Sequence, residues 1–97
     1  MVAVQIKPFY NLREIIGNPV VEMRFEEGAT IRALLEQLME RYGSELQKAL
    51  IDPETGAIHS FYRILVTGRD VRLLDQGIDT TLKDGDVVSL LQAISGG

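Results

Sequence analysis

Thr30-Ile31-Arg32-Ala33-Leu34-Leu35-Glu36-Gln37-Leu38-Met39-Glu40-Arg41-Tyr42-Gly43 is the stretch on which the fold turns. Ile31, Leu34, Leu35, Leu38, Met39 and Tyr42 fall at i, i+3, i+4, i+7, i+8 and i+11, which draws one unbroken apolar stripe along a helix. Arg32, Glu36, Gln37, Glu40 and Arg41 take the opposite face, where glutamates near arginines at helical spacing add a few tenths of a kcal/mol per pair, on the order of 0.3. Thr30 is a suitable N-cap, because its hydroxyl can accept from an unpaired amide of the first turn. Gly43 is placed to leave the helix in the left-handed conformation. A helix with a single apolar face needs an apolar surface to lie on, so the question passes to its neighbours.

Both flanks supply strands. Val2, Val4 and Ile6 alternate with Ala3, Gln5 and Lys7, and Val21, Met23 and Phe25 alternate with Val20, Glu22 and Arg24; period two is the pattern of a half-buried strand. Pro8 stops the first, since proline cannot donate to a ladder. Phe9 to Ile16 reads as a compact turn or short helix closed by Gly17-Asn18-Pro19, which makes the pair an antiparallel hairpin with an elaborated loop. Beyond the helix, Ser44 to Ile51 adds a short helical turn through Leu46 and Leu50, and Asp52-Pro53-Glu54-Thr55-Gly56 is a turn-rich loop. Tyr62, Ile64 and Val66 mark a third strand ended by Gly68-Arg69-Asp70, Val71 to Leu74 a short strand, and Asp75 to Lys83 an irregular connection. Asp84-Gly85-Asp86 is a tight turn into a last strand, Val87 to Gln92.

The expectation is an α+β protein with a mixed sheet and one main helix packed across a single face. Val4, Ile6, Val21, Met23, Ile64, Val66, Val88 and Leu90 supply the apolar side of that sheet. A hairpin, a helix and then returning strands is the β-grasp (ubiquitin-like) order. Residues 1–97 are read as one such domain, with 93–97 a flexible C-terminal Gly-Gly tail.

Composition narrows the function. The chain is 45% hydrophobic and 25% charged, with ten basic against fourteen acidic side chains and a net charge of −4. Nucleic acid and anionic membranes call for a basic patch, so neither is an expected partner. Cysteine is absent and histidine occurs once, which removes disulfides, zinc fingers, iron–sulfur clusters, thiol nucleophiles and most triads. No stretch approaches the roughly 20 apolar residues of a membrane span, and the N-terminus lacks the features of a signal peptide; the expected location is the cytoplasm. Asp84 and Asp86 flank a glycine before a strand and are better explained by turn chemistry than by acid–base work or a metal. His59 has no ligand-like neighbours, and Phe61 and Tyr62 read as packing residues. No Walker loop or dinucleotide fingerprint is present. The chain is read as having no catalytic site of its own, no metal and no bound cofactor.

The chain closes on Gln92-Ala93-Ile94-Ser95-Gly96-Gly97. Two glycines without Cβ atoms can thread a narrow channel, and a short arm at about 3.3 Å per residue carries a terminal carboxylate into a partner's buried site. A carboxylate is a poor electrophile, so activation as an acyl-adenylate by ATP would have to precede capture by a sulfur or nitrogen nucleophile. On this reading the terminus is the substrate and other proteins catalyse.

Phe9-Tyr10-Asn11-Leu12-Arg13-Glu14-Ile15-Ile16-Gly17 resembles the aromatic–x–x–Leu-Arg-Glu signature of molybdopterin synthase small subunits. Gly68-Arg69-Asp70-Val71, Leu82-Lys83-Asp84-Gly85-Asp86-Val87 and Gly96-Gly97 are similar to that family's later landmarks, in the same order. The resemblance implies a ubiquitin-like sulfur carrier of the kind that also includes the thiamin-pathway carriers. It implies as partners a ubiquitin-activator-like adenylating enzyme that uses ATP, a sulfur donor protein, and the large synthase subunit. Gly97 would carry the adenylate and then the thiocarboxylate, and Gly96 would permit threading. Sulfur would pass to a pterin precursor in molybdenum or tungsten cofactor biosynthesis. The family docks through the sheet face that the helix leaves open, which here points to Leu65, Val87 and Leu91, with Ala93 and Ile94 of the tail. The stretch Asp52 to Phe61 is longer than in compact members and leaves the acceptor open. Three other readings stand beside this one: a modifier joined to lysines through the same adenylate, a thiamin-pathway sulfur carrier, and a plain interaction module.

Overall fold

The computed structural model describes residues 1–92. Its chain order is β1 (Val2–Pro8), α1 (Asn11–Ile16), β2 (Val21–Phe25), α2 (Ile31–Leu50), β3 (Tyr62–Val66), β4 (Arg69–Asp70) and β5 (Val87–Gln92), with 3-10 turns at Val71–Leu73 and Gly77–Asp79. The strands form one sheet in the order β2-β1-β5-β3-β4. β1 pairs antiparallel with β2 and parallel with β5, while β3 is antiparallel to both β5 and β4. A mixed sheet crossed by one main helix is the β-grasp arrangement.

Strand alternation decides which side chains meet the helix. Val2, Val4, Ile6, Val21, Met23, Phe25, Tyr62, Ile64, Val88 and Leu90 are buried, with Val66 partly so, against Ile31, Leu34, Leu35 and Leu38 of α2. Met39 and Tyr42 continue the stripe at its margin. Thr30 caps α2, its Oγ1 accepting from the amide of Ala33 at 3.2 Å. Gly43 leaves the helical region, at φ 78° and ψ −159°, a conformation that favours glycine. Helix resumes beyond it, and the change of direction tucks Leu46 and Leu50 into the core. α1 seals one end of the core with Leu12 and Ile16, its last turn closed where Gly17 N–H donates to Arg13 O at 2.7 Å.

One expected strand is absent. Val71 to Leu74 is not extended: the turn after β3 is made by Thr67 and Gly68, both at positive φ, so the partner strand is Arg69–Asp70. Asp70 then accepts from the amide of Arg72 at 2.9 Å and starts the 3-10 turn that buries Val71. The connection from Asp75 to Lys83 contains more order than its sequence implies, with the turn at Gly77–Asp79, a Thr30–Thr81 bridge and a buried Leu82 whose N–H donates to Ala29 O.

Candidate functional site

Three parts of the molecule hold the side chains that a site would need: the turn before β5, the open face of the sheet, and the end of β5.

The acidic turn is occupied by its own fold. Asp86 accepts from the amide of Lys83 at 2.7 Å and from the Thr67 hydroxyl at 3.0 Å. Asp84 accepts from the amide of Ala3 at 2.8 Å, and Gly85 N–H donates to Ala3 O. Both carboxylates therefore tie β1, β5 and the β3–β4 turn together. No group of three or more His, Cys, Asp or Glu side chains among the described residues is placed to hold a metal ion.

Two further carboxylates are held by arginines. Asp70 lies 3.3 Å from the Arg72 guanidinium and 4.0 Å from that of Arg63. Its pKa is lowered, first by the hydrogen bond from the Arg72 amide and then by the two guanidiniums, against the opposing effect of burial. Asp79 is lowered by its hydrogen bond to Arg32, at 2.8 Å, and Arg32 is raised by the same bond. A groove of about 600 Å³ runs between α2 and the loop before β3, with Leu35, Met39, Ile58, Ile64, Val71 and Ile78 in its apolar lining. Arg32, Asp70 and Arg72, which also border it, are already held in ion pairs.

Leu65, Val87 and Leu91 are half-buried and face away from the helix. In register, Leu91 is opposite Arg63, Val87 is opposite Gln5, and Leu65 is opposite both Ser89 and Asp70. The open face thus has an apolar centre with polar and charged neighbours. Ala93, Ile94, Gly96 and Gly97, and with them the expected tail, lie outside the described residues.

The end of β5 is set between two aromatic segments. On the β1 side, Phe9 N–H donates to Leu90 O at 3.1 Å, which brings the Phe9-Tyr10 corner alongside the strand. On the β3 side, Tyr62 is the register partner of Gln92, so Phe61 immediately precedes the pairing. Asn11 links the two sides, its Nδ2 donating to the Tyr62 hydroxyl at 2.9 Å. Arg13 braces the corner, with its guanidinium 5.2 Å from the Phe9 ring centre and its Nε donating to Pro8 O. Tyr62 is buried, but Phe61 is 42% exposed and stacks on His59 at 4.8 Å, and Tyr10 is 56% exposed. Tyr10 also stands at φ 54° and ψ −131°, a conformation that costs a non-glycine residue about 1–3 kcal/mol. Sequence reading misses both residues as surface features. The signal is present for Phe61, because alternation cannot point it and Tyr62 to the same side.

The family model described as the ThiS family matches residues 6–97. This chain belongs to the ThiS family. Small archaeal modifier protein 3 of Haloferax volcanii is 33% identical over 93 residues, which are 96% of this chain and 97% of that protein. Sulfur carrier protein CysO of Mycobacterium tuberculosis is 38% identical over 71 residues, covering 72% of this chain and 74% of its own. A solved structure from Pyrococcus furiosus, assigned as molybdopterin converting factor subunit 1, is 30% identical and superposes with a TM-score of 0.75 over 97% of this chain and 100% of that one. The ThiS family chain described here is accordingly a β-grasp protein of the sulfur-carrier and small-modifier class. No helix among its described residues is long and apolar enough to cross a membrane.

Proposed function

We propose that this chain is a sulfur carrier whose C-terminal Gly97 carboxylate is adenylated and converted to a thiocarboxylate. The observation that carries the reading is membership of the ThiS family over residues 6–97, which takes in the Gly96-Gly97 end. The carboxylate oxygen attacks the α-phosphorus of ATP on an activating enzyme, and pyrophosphate leaves. Sulfide released by a donor protein then attacks the acyl carbon as HS⁻, a C–S bond forms, AMP departs as the acyl C–O bond to the phosphate breaks, and loss of the S–H proton leaves the thiocarboxylate. This chain holds no cofactor for these steps; it presents the acyl group, and the partner supplies ATP. β5 is suited to that task because it lies inside the sheet between β1 and β3, so the point from which residues 93–97 continue is held on both sides.

The acceptor we propose is a pterin precursor bound to a large molybdopterin synthase subunit, in the cytoplasm. The Pyrococcus furiosus likeness supports this, as do the landmarks at Phe9 to Gly17 and Leu82 to Val87. Leu65, Val87 and Leu91 would form the docking patch, with Ala93 and Ile94 following the strand into the partner and Gly96 allowing passage.

One observation favours a second reading, conjugation to lysine side chains: the relative matched along 96% of the chain is a small archaeal modifier. Both readings share the adenylate and differ in the nucleophile. The test is the intact mass after incubation with ATP, an activating enzyme and a sulfide source. Exchange of one oxygen for sulfur, abolished by deletion of Gly97, is the expected result. An unchanged mass beside an active control carrier would reject sulfur carriage, and a covalent ladder on a denaturing gel would then identify the modifier.

A further inference from the structure

The two aromatic segments beside β5 have no role in the fold that explains their exposure. Tyr10 is 56% exposed although it occupies a backbone conformation that glycine would adopt without strain. Its side chain makes no capping hydrogen bond to α1. Phe61 is 42% exposed immediately before the residue that pairs with Gln92. The Phe9 to Leu90 and Asn11 to Tyr62 hydrogen bonds hold these segments on opposite sides of the strand's end.

We infer that Tyr10 and Phe61 form a recognition collar for the adenylating enzyme, seated against an apolar lip around the mouth of its nucleotide site. The inference rests on the reading that the Gly97 carboxylate is the activated group, and it adds where the enzyme must touch the folded part of the chain. Residues 93–97 follow Gln92, and five residues span at most about 18 Å even when fully extended, at about 3.6 Å each. An enzyme that receives the carboxylate in a site closed to water therefore brings the rim of that site up to the end of β5. The side chains that flank that end are Tyr10 on one side and Phe61 on the other. Rigid aromatics offer a large contact area at small entropic cost and are enriched among residues that dominate binding. A strained, exposed, non-glycine residue at this position fits a surface kept for contact. By strand parity Phe61 lies on the same open face as Leu65 and Leu91, so the collar extends that patch to the end of β5, where Tyr10 joins it from the β1 side.

The experiment is ATP–pyrophosphate exchange with the cell's own ubiquitin-activator-type enzyme, titrated with the full-length chain and with Tyr10→Gly, Phe61→Ser and Leu73→Ser variants. Thermal melts are recorded for all four proteins. Leu73 is 83% exposed beside β4 and controls for loss of exposed apolar surface in general. The expected result is that Tyr10→Gly and Phe61→Ser each raise the KM for the carrier about tenfold. kcat and Leu73→Ser should be unaffected, and Tyr10→Gly should melt no lower than the parent. An unchanged KM in both collar variants overturns the inference while leaving the carrier reading intact. A raised KM that simply follows a lowered melting temperature overturns it too, since Tyr10 would then be structural. Normal exchange with impaired transfer to the acceptor protein would overturn the assignment to the adenylating enzyme. No exchange with the parent chain, beside an active control carrier, rejects the carrier reading itself and the collar with it.

Discussion

The two ends of the β5 ladder handle polar and apolar groups in opposite ways. At the start, Asp84 and Asp86 lie at a turn where carboxylates look available, yet both accept hydrogen bonds from Ala3, Lys83 and Thr67. At the finish, no carboxylate is involved, and two aromatic residues, Tyr10 and Phe61, are left about half exposed, Phe61 with one face stacked on His59. Charge at one end is used up in holding strands together, while exposed surface at the other remains for something else to cover. The conspicuous carboxylates thus mark the end that holds the fold together, and the exposed apolar surface lies at the other.

Changes at either end put this contrast to experiment. Deleting Gly97 has the largest expected effect: complete loss of the sulfur mass shift with an unchanged melting temperature, read by mass spectrometry and calorimetry. A persistent shift would move the reactive group elsewhere. Leu90→Ala acts on the ladder common to both ends. Leu90 is 1% exposed, so the cavity should cost about 2–5 kcal/mol in urea denaturation. A cost under about 1 kcal/mol would show that α2 and the sheet are not tightly packed there. Asp86→Ala should cost less, about 1–2 kcal/mol, because a carboxylate with two hydrogen bonds is removed from a partly solvated turn. Pyrophosphate exchange by this variant should match the parent, and lost exchange in a folded Asp86→Ala protein would contradict the division of labour.

Leu91→Asp should leave stability within about 1 kcal/mol, since the new carboxylate lies opposite Arg63 in register. It should weaken binding to the acceptor protein, measured by calorimetric titration; unfolding of the variant would show Leu91 to be core. The smallest effect is on pH. The pKa of Asp70 is lowered by the Arg72 amide and that of Asp79 by Arg32, so each contributes stability above the ordinary carboxylate range. That contribution fades as pH falls through the lowered values. A carboxyl titration by NMR checks this, and an Asp70 that titrates at an ordinary value would refute it.

The fold was legible where burial imposes a period. The stripe from Ile31 to Tyr42 and the alternations in β1, β2, β3 and β5 state which atoms leave water, and that demand is local enough to read from order alone. Gly43 was legible as the break in the helix, and Leu46 and Leu50 as the apolar side of a short helical segment beyond it. Val71 to Leu74 misled because its apolar residues fit a strand, whereas the turn geometry of Thr67-Gly68 and the side chain of Asp70 decide the conformation. Leu82 was hidden in a stretch with no period at all. At the site, strand parity placed Leu65, Val87 and Leu91 on the face opposite the helix. Tyr10 could not be read, because its strain comes from the corner between β1 and α1, which is a property of the assembled backbone rather than of any residue preference.

β5 runs parallel to β1, with Gln5 to Pro8 in register with Val87 to Leu90. Tension applied through Gln92 against an anchored Val2 slides these strands past one another and loads their hydrogen bonds together, rather than peeling them apart one by one. The molecule is therefore toughest along the direction in which its own terminus would be tugged. A motor that pulled on the far side of Gln92 while Val2 was anchored would meet a clasp that must give way all at once.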